Sequence, residues 1–290
     1  MSTVANNLKP HQYQIGNVVF GRNTMLPVES VEVAGYEVNA QDFQVVMSDE
    51  TRFGVDSIKP VGLIFTMALL INEALPNLAA VTGDPEMNFD NDMRLGQLMQ
   101  EWRGDEVRLS WGELKPLLFC RKNGEVVRIY GRPRKFAYRK PTFKSQFTKI
   151  TAEYMRSDTF AYSDIEYAMI FVPGVSRNVI RQGGDASAWV RFGLIGPMVH
   201  PIINFGGHQF ELDISIEAGE TVEVSTYPWQ RRIVSSVTGL SLAAYLISDR
   251  PYLDQIKLSL ADKTVSFTAT GATGASQMVL LWREAYHSLD

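Results

Sequence analysis

Four histidines, one cysteine and a few strand-borne carboxylates are the side chains of this 290-residue chain best suited to chemistry. His11, His200, His208 and His287 have no His or Cys companion three or four positions away, so no zinc-binding spacing is present. His200 precedes Pro201 and reads as a structural loop residue. Cys120 ends the apolar stretch LLFC and reads as a packing thiol. A cysteine nucleophile needs a positioned base, and no motif marks one. Glu211, Asp213 and Glu217 fall on one face of an alternating stretch. Glycoside hydrolysis needs two carboxyls across a cleft, one with a raised pKa. The face these three share is the wet one, where carboxylates serve solubility. The Gly-rich spots 181–184 and 271–274 lack the Lys-Ser/Thr and flanking strand and helix of a phosphate loop, and read as turns.

Binding, rather than bond-making, has two candidate sites. Arg128, Arg132, Arg134, Lys135, Arg139, Lys140, Lys144 and Lys149 interleave with Tyr130, Phe136, Tyr138, Phe143 and Phe147. Cations between aromatics are what a single-stranded nucleic acid would stack on. The overall net charge of −4 and the alternation favour a sheet with aromatics inside and cations outside. In Tyr227-Pro228-Trp229, exposed rings would suit the apolar face of a sugar. Alternatively, Trp229 plugs one end of a core.

The elements that must position these residues are mostly strands. Between Val190 and Thr226, Phe210, Leu212, Ile214 and Ile216 alternate with Glu211, Asp213, Ser215 and Glu217. Period two puts one set on each face of a half-buried strand. Ala218-Gly219-Glu220 turns the chain, and Val222 and Val224 resume the alternation. Residues 265–270 alternate likewise, and Met278–Trp282 reads as a closing strand. Nearer the start, residues 14–21 and 31–47 read as short strands with a turn at Gly35, and Val61–Ile71 as a buried strand. One helix is predicted from about Asp90, with Leu95, Leu98, Met99 and Trp102 on one stripe and Gly104 ending it. Arg121–Val126 predicts a hairpin whose Asn123-Gly124 pair suits a type I′ turn, its second strand running on through Gly131 to Phe136.

A chain of this length favours two domains. Hydrophobic residues are 45% and charged residues 21%, ordinary for a globular protein. With one cysteine no intrachain disulfide can form, which fits assembly in a reducing cytoplasm. The first residues have no apolar core like that of a secretory signal, and the longest apolar run, eleven residues, is half of what a membrane-spanning helix needs. Charge is segregated. Residues 1–113 carry net −9, residues 114–157 net +10 and residues 158–290 net −5. Such a layout suits self-assembly, basic strip against acid on the next copy, or simply a solvated strand face. The sign change and the restart of the strand pattern place the domain boundary near Ser157–Asp164.

Gly196-Pro197, His200-Pro201-Ile202, Gly206-Gly207, the 210–216 strand, Ala218-Gly219-Glu220 and Ser225-Thr226 succeed one another in an order that resembles the C-terminal domain of siphophage distal tail proteins. His200 and Ser225 depart from the pattern, which has Asn and Asp there. The Gly131–Phe136 stretch after a hairpin, the helix ending at Trp102-Arg103, and the junction 156–162 extend the resemblance over most of the chain. At the junction, Asp158-Thr159 stands where the family has Asp-Pro.

The resemblance implies a mainly β protein of two antiparallel β-sandwich or barrel domains. Residues 1–157 would be a tail-tube-like, ring-forming domain with a single helix at about 91–103. Residues 158–290 would be a galectin-like or carbohydrate-binding-module-like sandwich. It further implies a virion protein at the distal end of the tail, a homohexameric ring assembled in the host cytoplasm. Its partners would be the major tail tube protein, the tail hub, baseplate or receptor-binding proteins, and the tape-measure protein. No enzyme activity, cofactor, metal, membrane contact or specific nucleic acid is expected. Arg132, Arg134 and Arg139 are the candidate oligomer interface. Tyr227 and Trp229 are the candidate glycan contact, should the chain instead be a carbohydrate-binding module for host envelope glycans.

Two independent sandwiches carry a direct consequence. Residues 164–290 expressed alone should be soluble and melt cooperatively. An insoluble, unfolded fragment would contradict the division.

Overall fold

The computed structural model describes residues 7–33, 36–44, 51–70, 91–139, 147–247, 253–261 and 263–289. The chain divides into two compact units, Met1–Ala161 with Leu289–Asp290, and Tyr162–Ser288.

The strands of the N-terminal unit are β1 (Gln12–Ile15), β2 (Val18–Gly21), β3 (Val28–Val33), β4 (Tyr36–Asn39), β5 (Phe43–Gln44), β6 (Thr51–Arg52), β7 (Ser57–Pro60) and β8 (Leu63–Leu70). Helix α1 (Asn91–Arg103) and a single helical turn, α2 (Asp105–Arg108), come next. Then come β9 (Leu117–Cys120), β10 (Val126–Ile129), β11 (Gly131–Arg139) and β12 (Phe147–Arg156). One sheet has the order β2-β1-β9-β10 and a second β11-β12-β8-β3, with antiparallel neighbours throughout. The pairs β4–β7 and β5–β6 are separate two-stranded sheets that, among the described residues, join neither of the larger ones.

Rings from both sheets and from α1 fill the space between them. Tyr13 stacks on Phe119 at 4.5 Å, Phe20 meets Phe65 edge-on at 5.5 Å, and Phe65 meets Trp102 at 6.0 Å. The indole N–H of Trp102 donates to the Glu153 carbonyl at 3.0 Å, so the helix is held by both apolar burial and one directed bond. The predicted stripe is narrower than expected. Leu98 and Trp102 are buried, but Met99 is exposed at the margin. Below the helix, Lys115 reaches the carboxylates of Glu101 and Glu106 at 2.5 and 2.6 Å while its own side chain is buried. Desolvation pulls the Glu106 carboxyl upward, yet the Lys115 hydrogen bond and charge, with a backbone bond, hold it net below the usual carboxylate value.

Two local expectations change. The β9–β10 turn is not type I′. Val126 faces Cys120, the Gly124 N–H bonds to the Arg121 carbonyl at 2.9 Å, and only Gly124 of the Asn-Gly pair takes a positive φ, 87°. The loop is a residue longer than a two-residue turn, and a glycine in the left-handed region closes it. The second strand also does not run on. It breaks at Tyr130, and β11 enters the other sheet. Gly131 makes this crossing sterically feasible, because a Cβ there would lie 2.1 Å from the Met155 carbonyl oxygen. The Gly35 turn lies outside the described residues.

The C-terminal unit is a sandwich. Its strands are β13 (Ala161–Ser163, begun by the last residue of the first unit), β14 (Tyr167–Phe171), β15 (Ser176–Val179), β16 (Ala188–Ile195), β17 (Met198–Phe205), β18 (His208–Leu212), β19 (Ser215–Ile216), β20 (Thr221–Ser225) and β21 (Arg232–Ser235). They continue with β22 (Leu246–Ile247), β23 (Lys257–Leu258), β24 (Lys263–Thr270), β25 (Gln277–Trp282) and β26 (Ala285–Tyr286). One sheet runs β14-β25-β16-β20-β21, with β23 also on β16. The other runs β15-β24-β17-β18-β22, with β19 also on β17. Phe192 of one sheet meets Phe205 and Phe210 of the other at 5.8 and 5.6 Å. The 210–216 strand predicted from alternation splits into β18 and β19, yet Phe210, Leu212 and Ile216 all point into the core as the alternation requires.

The Gly131 crossing can be tested. Gly131→Ala places a methyl against backbone that cannot swing away, so the N-terminal unit should lose about 3 kcal/mol, the upper end of overpacking costs. Urea unfolding of the full chain, with Gly96→Ala as the control on open helix surface, measures it.

Candidate functional site

The basic strip read from the sequence separates into three groups in the structure. Arg128 is buried. Arg132 is a clamp: its Nε donates to the Glu113 carbonyl at 2.6 Å and its Nη2 to the Ser110 carbonyl at 2.7 Å. Those two bonds fix the loop from Leu109 to Glu113, on which Leu109 and Trp111 are 97% and 102% exposed. The third group faces outward. Lys135 lies 4.0 Å from Glu153 and Lys149 3.6 Å from Glu29, both exposed pairs. Arg134 and Arg139 are exposed with no ion-pair partner among the described residues. Lys140, Lys144 and Phe143 lie outside those residues.

A bulge decides which cations face out. The β11–β12 register shifts between Pro133 and Phe136. Pro133 is buried before the shift, and Phe136 packs on Trp102 after it. The inward parity therefore changes, and Arg134 and Lys135 both reach solvent although they are neighbours. Strict alternation carries no sign of this.

The resulting sheet has open edges of opposite charge. Among the described residues no strand covers the outer edge of β11 or of β3. The β11 edge carries Arg134, Lys135 and Arg139. The β3 edge carries Glu29 and Glu32, both exposed, with half-exposed Val33 beside them. Sequence reasoning recognised the basic side and missed its acidic counterpart, because β3 became an edge only through the pairing with β8.

In the C-terminal unit, Tyr227 and Trp229 form a cluster with Tyr162. Tyr162 meets Trp229 edge-on at 5.8 Å and Tyr227 at 6.1 Å, and Tyr227 and Trp229 are 5.1 Å apart. Tyr227 is buried, so Trp229 alone of the pair is half-open to solvent. Trp189 is covered by Lys257 at 4.1 Å and Arg231 at 5.6 Å from its ring centre.

The outer face of the β15-β24-β17-β18-β22 sheet holds an arrangement the sequence did not reveal. His200, read as a loop residue, lies within β17 at φ 54°, where the β17–β24 register shifts between Val199 and Ile202. Its Nε2 contacts Glu211 Oε1, and its Nδ1 lies 3.4 Å from Asp213 Oδ1. The hydrogen bond to Glu211 is the largest cause that raises the His200 pKa above its ordinary value, and the two carboxylate charges and the Asp213 bond add to it against some desolvation. The carboxylates sit on opposite ring nitrogens. They clamp the imidazole and do not converge on a shared point, and among the described residues no group of three His, Cys, Asp or Glu could hold a metal ion. No described helix is long and apolar enough to cross a membrane.

This clamp gives a pH signature. A pKa raised by folding contributes stability that is whole below the ordinary value of 6.5 and is lost as pH rises through the folded value. The His200 ring should therefore titrate above 6.5 by NMR, and Glu211→Gln should move it back down. An unmoved titration would show that the contact is not kept in solution.

A scan of protein-family models finds no match to this chain, and neither does a search of curated proteins. Solved structures do match. The phage SPP1 Dit protein (gp 19.1), described as a paradigm of hub adsorption apparatus in Gram-positive infecting phages, superposes with a TM-score of 0.58 at 14% identity, over 90% of this chain and 93% of that one. A chain of the phage P2 baseplate in its activated conformation with Ca matches at 0.50 and 10% identity, over 94% and 98%. The same baseplate with Sr matches at 0.51 and 10%, over 93% and 97%. Over nearly its whole length, the chain has the fold of the SPP1 Dit protein.

Proposed function

We propose that this chain is a structural component of a siphophage tail, a distal tail protein whose copies close into a ring at the tip of the tail tube. The ring serves as an adaptor between the tube and the hub, baseplate or receptor-binding proteins. It performs no reaction and needs no cofactor. Its place is the distal end of the tail in the virion, and six copies is the number the family resemblance implies.

The observation that carries this reading is the sheet with a basic open edge at β11 and an acidic open edge at β3. A ring needs two different, complementary surfaces on each copy, because its contacts are head to tail. One sheet with opposite edges supplies both, and strand-to-strand hydrogen bonds add a defined register. The fold shared with phage hub and baseplate chains supports the same reading. The glycan-module alternative rests on Tyr227 and Trp229, and the burial of Tyr227 leaves it half a platform.

Native mass spectrometry and light scattering at low salt test the ring. The wild type should populate a closed oligomer whose dissociation is favoured by added salt. Arg134→Glu with Arg139→Glu puts acid on both edges and should weaken association by ~100-fold or more, since like-charge juxtaposition costs several kcal/mol. Arg132 is left alone because it holds the Leu109–Glu113 loop. A wild type that stays monomeric at high concentration and is missing from purified tails would end the adaptor reading.

A further inference from the structure

We propose that the outer face of the β15-β24-β17-β18-β22 sheet binds a unit of a glycan chain, in a groove between the β17–β18 turn and the 259–261 loop. The inference goes beyond the ring reading and does not depend on it. The groove shares no residue with Tyr227 or Trp229.

Strand alternation builds the floor. Ile203, Phe205, Val265 and Phe267 are buried, so Asn204, Thr264 and Ser266 beside them point outward. Register then lines up polar groups. Ser176 faces Ser266, Ser266 faces Asn204 and Asn204 faces Gln209, a row of hydroxyls and amides across four strands. None of these four side chains makes a hydrogen bond among the described residues. One step along, Asn178 faces Thr264, whose hydroxyl donates to the Asn178 amide oxygen at 2.7 Å.

Two walls make the floor concave. Gly206 and Gly207 turn the chain at φ 55° and 93°, and the Lys263 stem lies across Gly206, where any side chain would run into it. The other wall is the 259–261 loop, in which the Ser259 hydroxyl donates to the Ala261 carbonyl at 3.2 Å. The groove measures about 540 Å³, a volume found among small-molecule sites.

The lining selects the ligand. Small-molecule sites are mostly apolar. Here the polar side chains are the hydroxyls of Ser259, Thr264 and Ser266, the Asn204 amide and the Lys263 ammonium, and no aromatic ring, large aliphatic side chain or carboxylate joins them. Hydroxyls and amides both donate and accept, as sugar hydroxyls do, so several can pair with neighbouring hydroxyls of one sugar ring. Lys263 has no ion-pair partner among the described residues and can donate to an oxygen of the same unit. One ammonium among neutral groups does not single out an anion. A peptide fits less well. β17 and β24 are paired on both sides, so no backbone ladder is free, and no apolar pocket would anchor a side chain. The groove is open to solvent, so it holds part of a longer chain and does not enclose a free sugar.

Amide NMR of the labelled full chain, titrated with glucose, galactose, N-acetylglucosamine and a linear trimer of each, locates the site. At least one trimer should shift Asn204, Gly206, Lys263 and Ser266 saturably, and more tightly than its monomer does. Asn204→Ala/Ser266→Ala should keep the wild-type circular dichroism and weaken that binding by ~30-fold or more, as two lost hydrogen bonds would. Inorganic phosphate is the control for Lys263. The site is overturned by no saturable shift with any of these sugars, by shifts at Tyr227 and Trp229 instead, by a monomer that binds as tightly as its trimer, or by a response to phosphate alone. Light scattering reads the ring separately. The open edges at β3 and β11 belong to the N-terminal unit, so the double variant should associate as the wild type does. A monomeric wild type that still binds a trimer in the groove would remove the ring and keep the glycan site.

Discussion

The passage of the backbone from Tyr130 to Arg132 is the constraint on which the N-terminal unit depends. Here one chain leaves the first sheet and enters the second. The Tyr130 carbonyl accepts from the Ser157 N–H at 2.8 Å and from its hydroxyl at 2.9 Å. The Gly131 carbonyl accepts from the Lys115 N–H at 2.9 Å. The buried hydroxyl of Tyr154 lies 2.7 Å from the Lys115 carbonyl and 2.8 Å from that of Ile129. Each bond is worth only about 1 kcal/mol net, but a buried carbonyl left without a donor costs its full desolvation. The crossing is therefore set by satisfaction of every polar group and by the missing Cβ of Gly131. Its consequence is positional. Arg132, the next residue, locks the loop that presents Trp111, and the strand beyond carries the exposed cations.

The C-terminal unit has a comparable fixed point of a different kind. Arg181 and Glu284 form an ion pair at 2.6 Å with side chains only 6% and 2% exposed. The carboxylate also accepts the Gln182 N–H at 2.9 Å and the Trp282 indole N–H at 3.3 Å, while Arg181 donates to the Ala186 carbonyl at 2.5 Å. A buried pair adds little net stability over apolar residues of the same size, yet removing one partner costs about 3–5 kcal/mol. Its effect is positional. It ties the segment before β16 to the residues after β25, so the two long strands that carry Phe192 and Leu280 into the core meet in one register.

Much of this architecture was legible in the sequence because period-two burial is a local signal. The core positions Phe210, Leu212, Val222, Val224, Val265 and Phe267 could all be read from alternation, and Leu98 and Trp102 from helical spacing. The features that escaped depend on pairing between distant strands. The bulge at Pro133–Phe136 reverses the parity of β11 without altering composition. The clamp on His200 needs β18 laid beside β17, and it is the Ile202–Glu211 pairing that brings the carboxylate over. The basic strip was visible as a run of Arg and Lys. That Arg132 serves its own chain, whereas Arg134 and Arg139 face outward, is decided only by where the Ser110 and Glu113 carbonyls lie.

Open edge strands are normally a hazard, since any unpaired ladder can template the growth of aggregates. The charge layout of this chain turns that hazard into a restriction. Two β11 edges brought together would oppose Arg134 and Arg139 to their own copies, and two β3 edges would oppose Glu29 and Glu32 to theirs. Both two-fold arrangements would be repulsive, which is why the proposed ring pairs opposite edges. A head-to-tail contact either closes or grows without limit, and the angle between successive copies decides which. In the proposed ring, charge would select the partner edge but is too long-ranged to fix an angle, which short-ranged contacts at a second point would do.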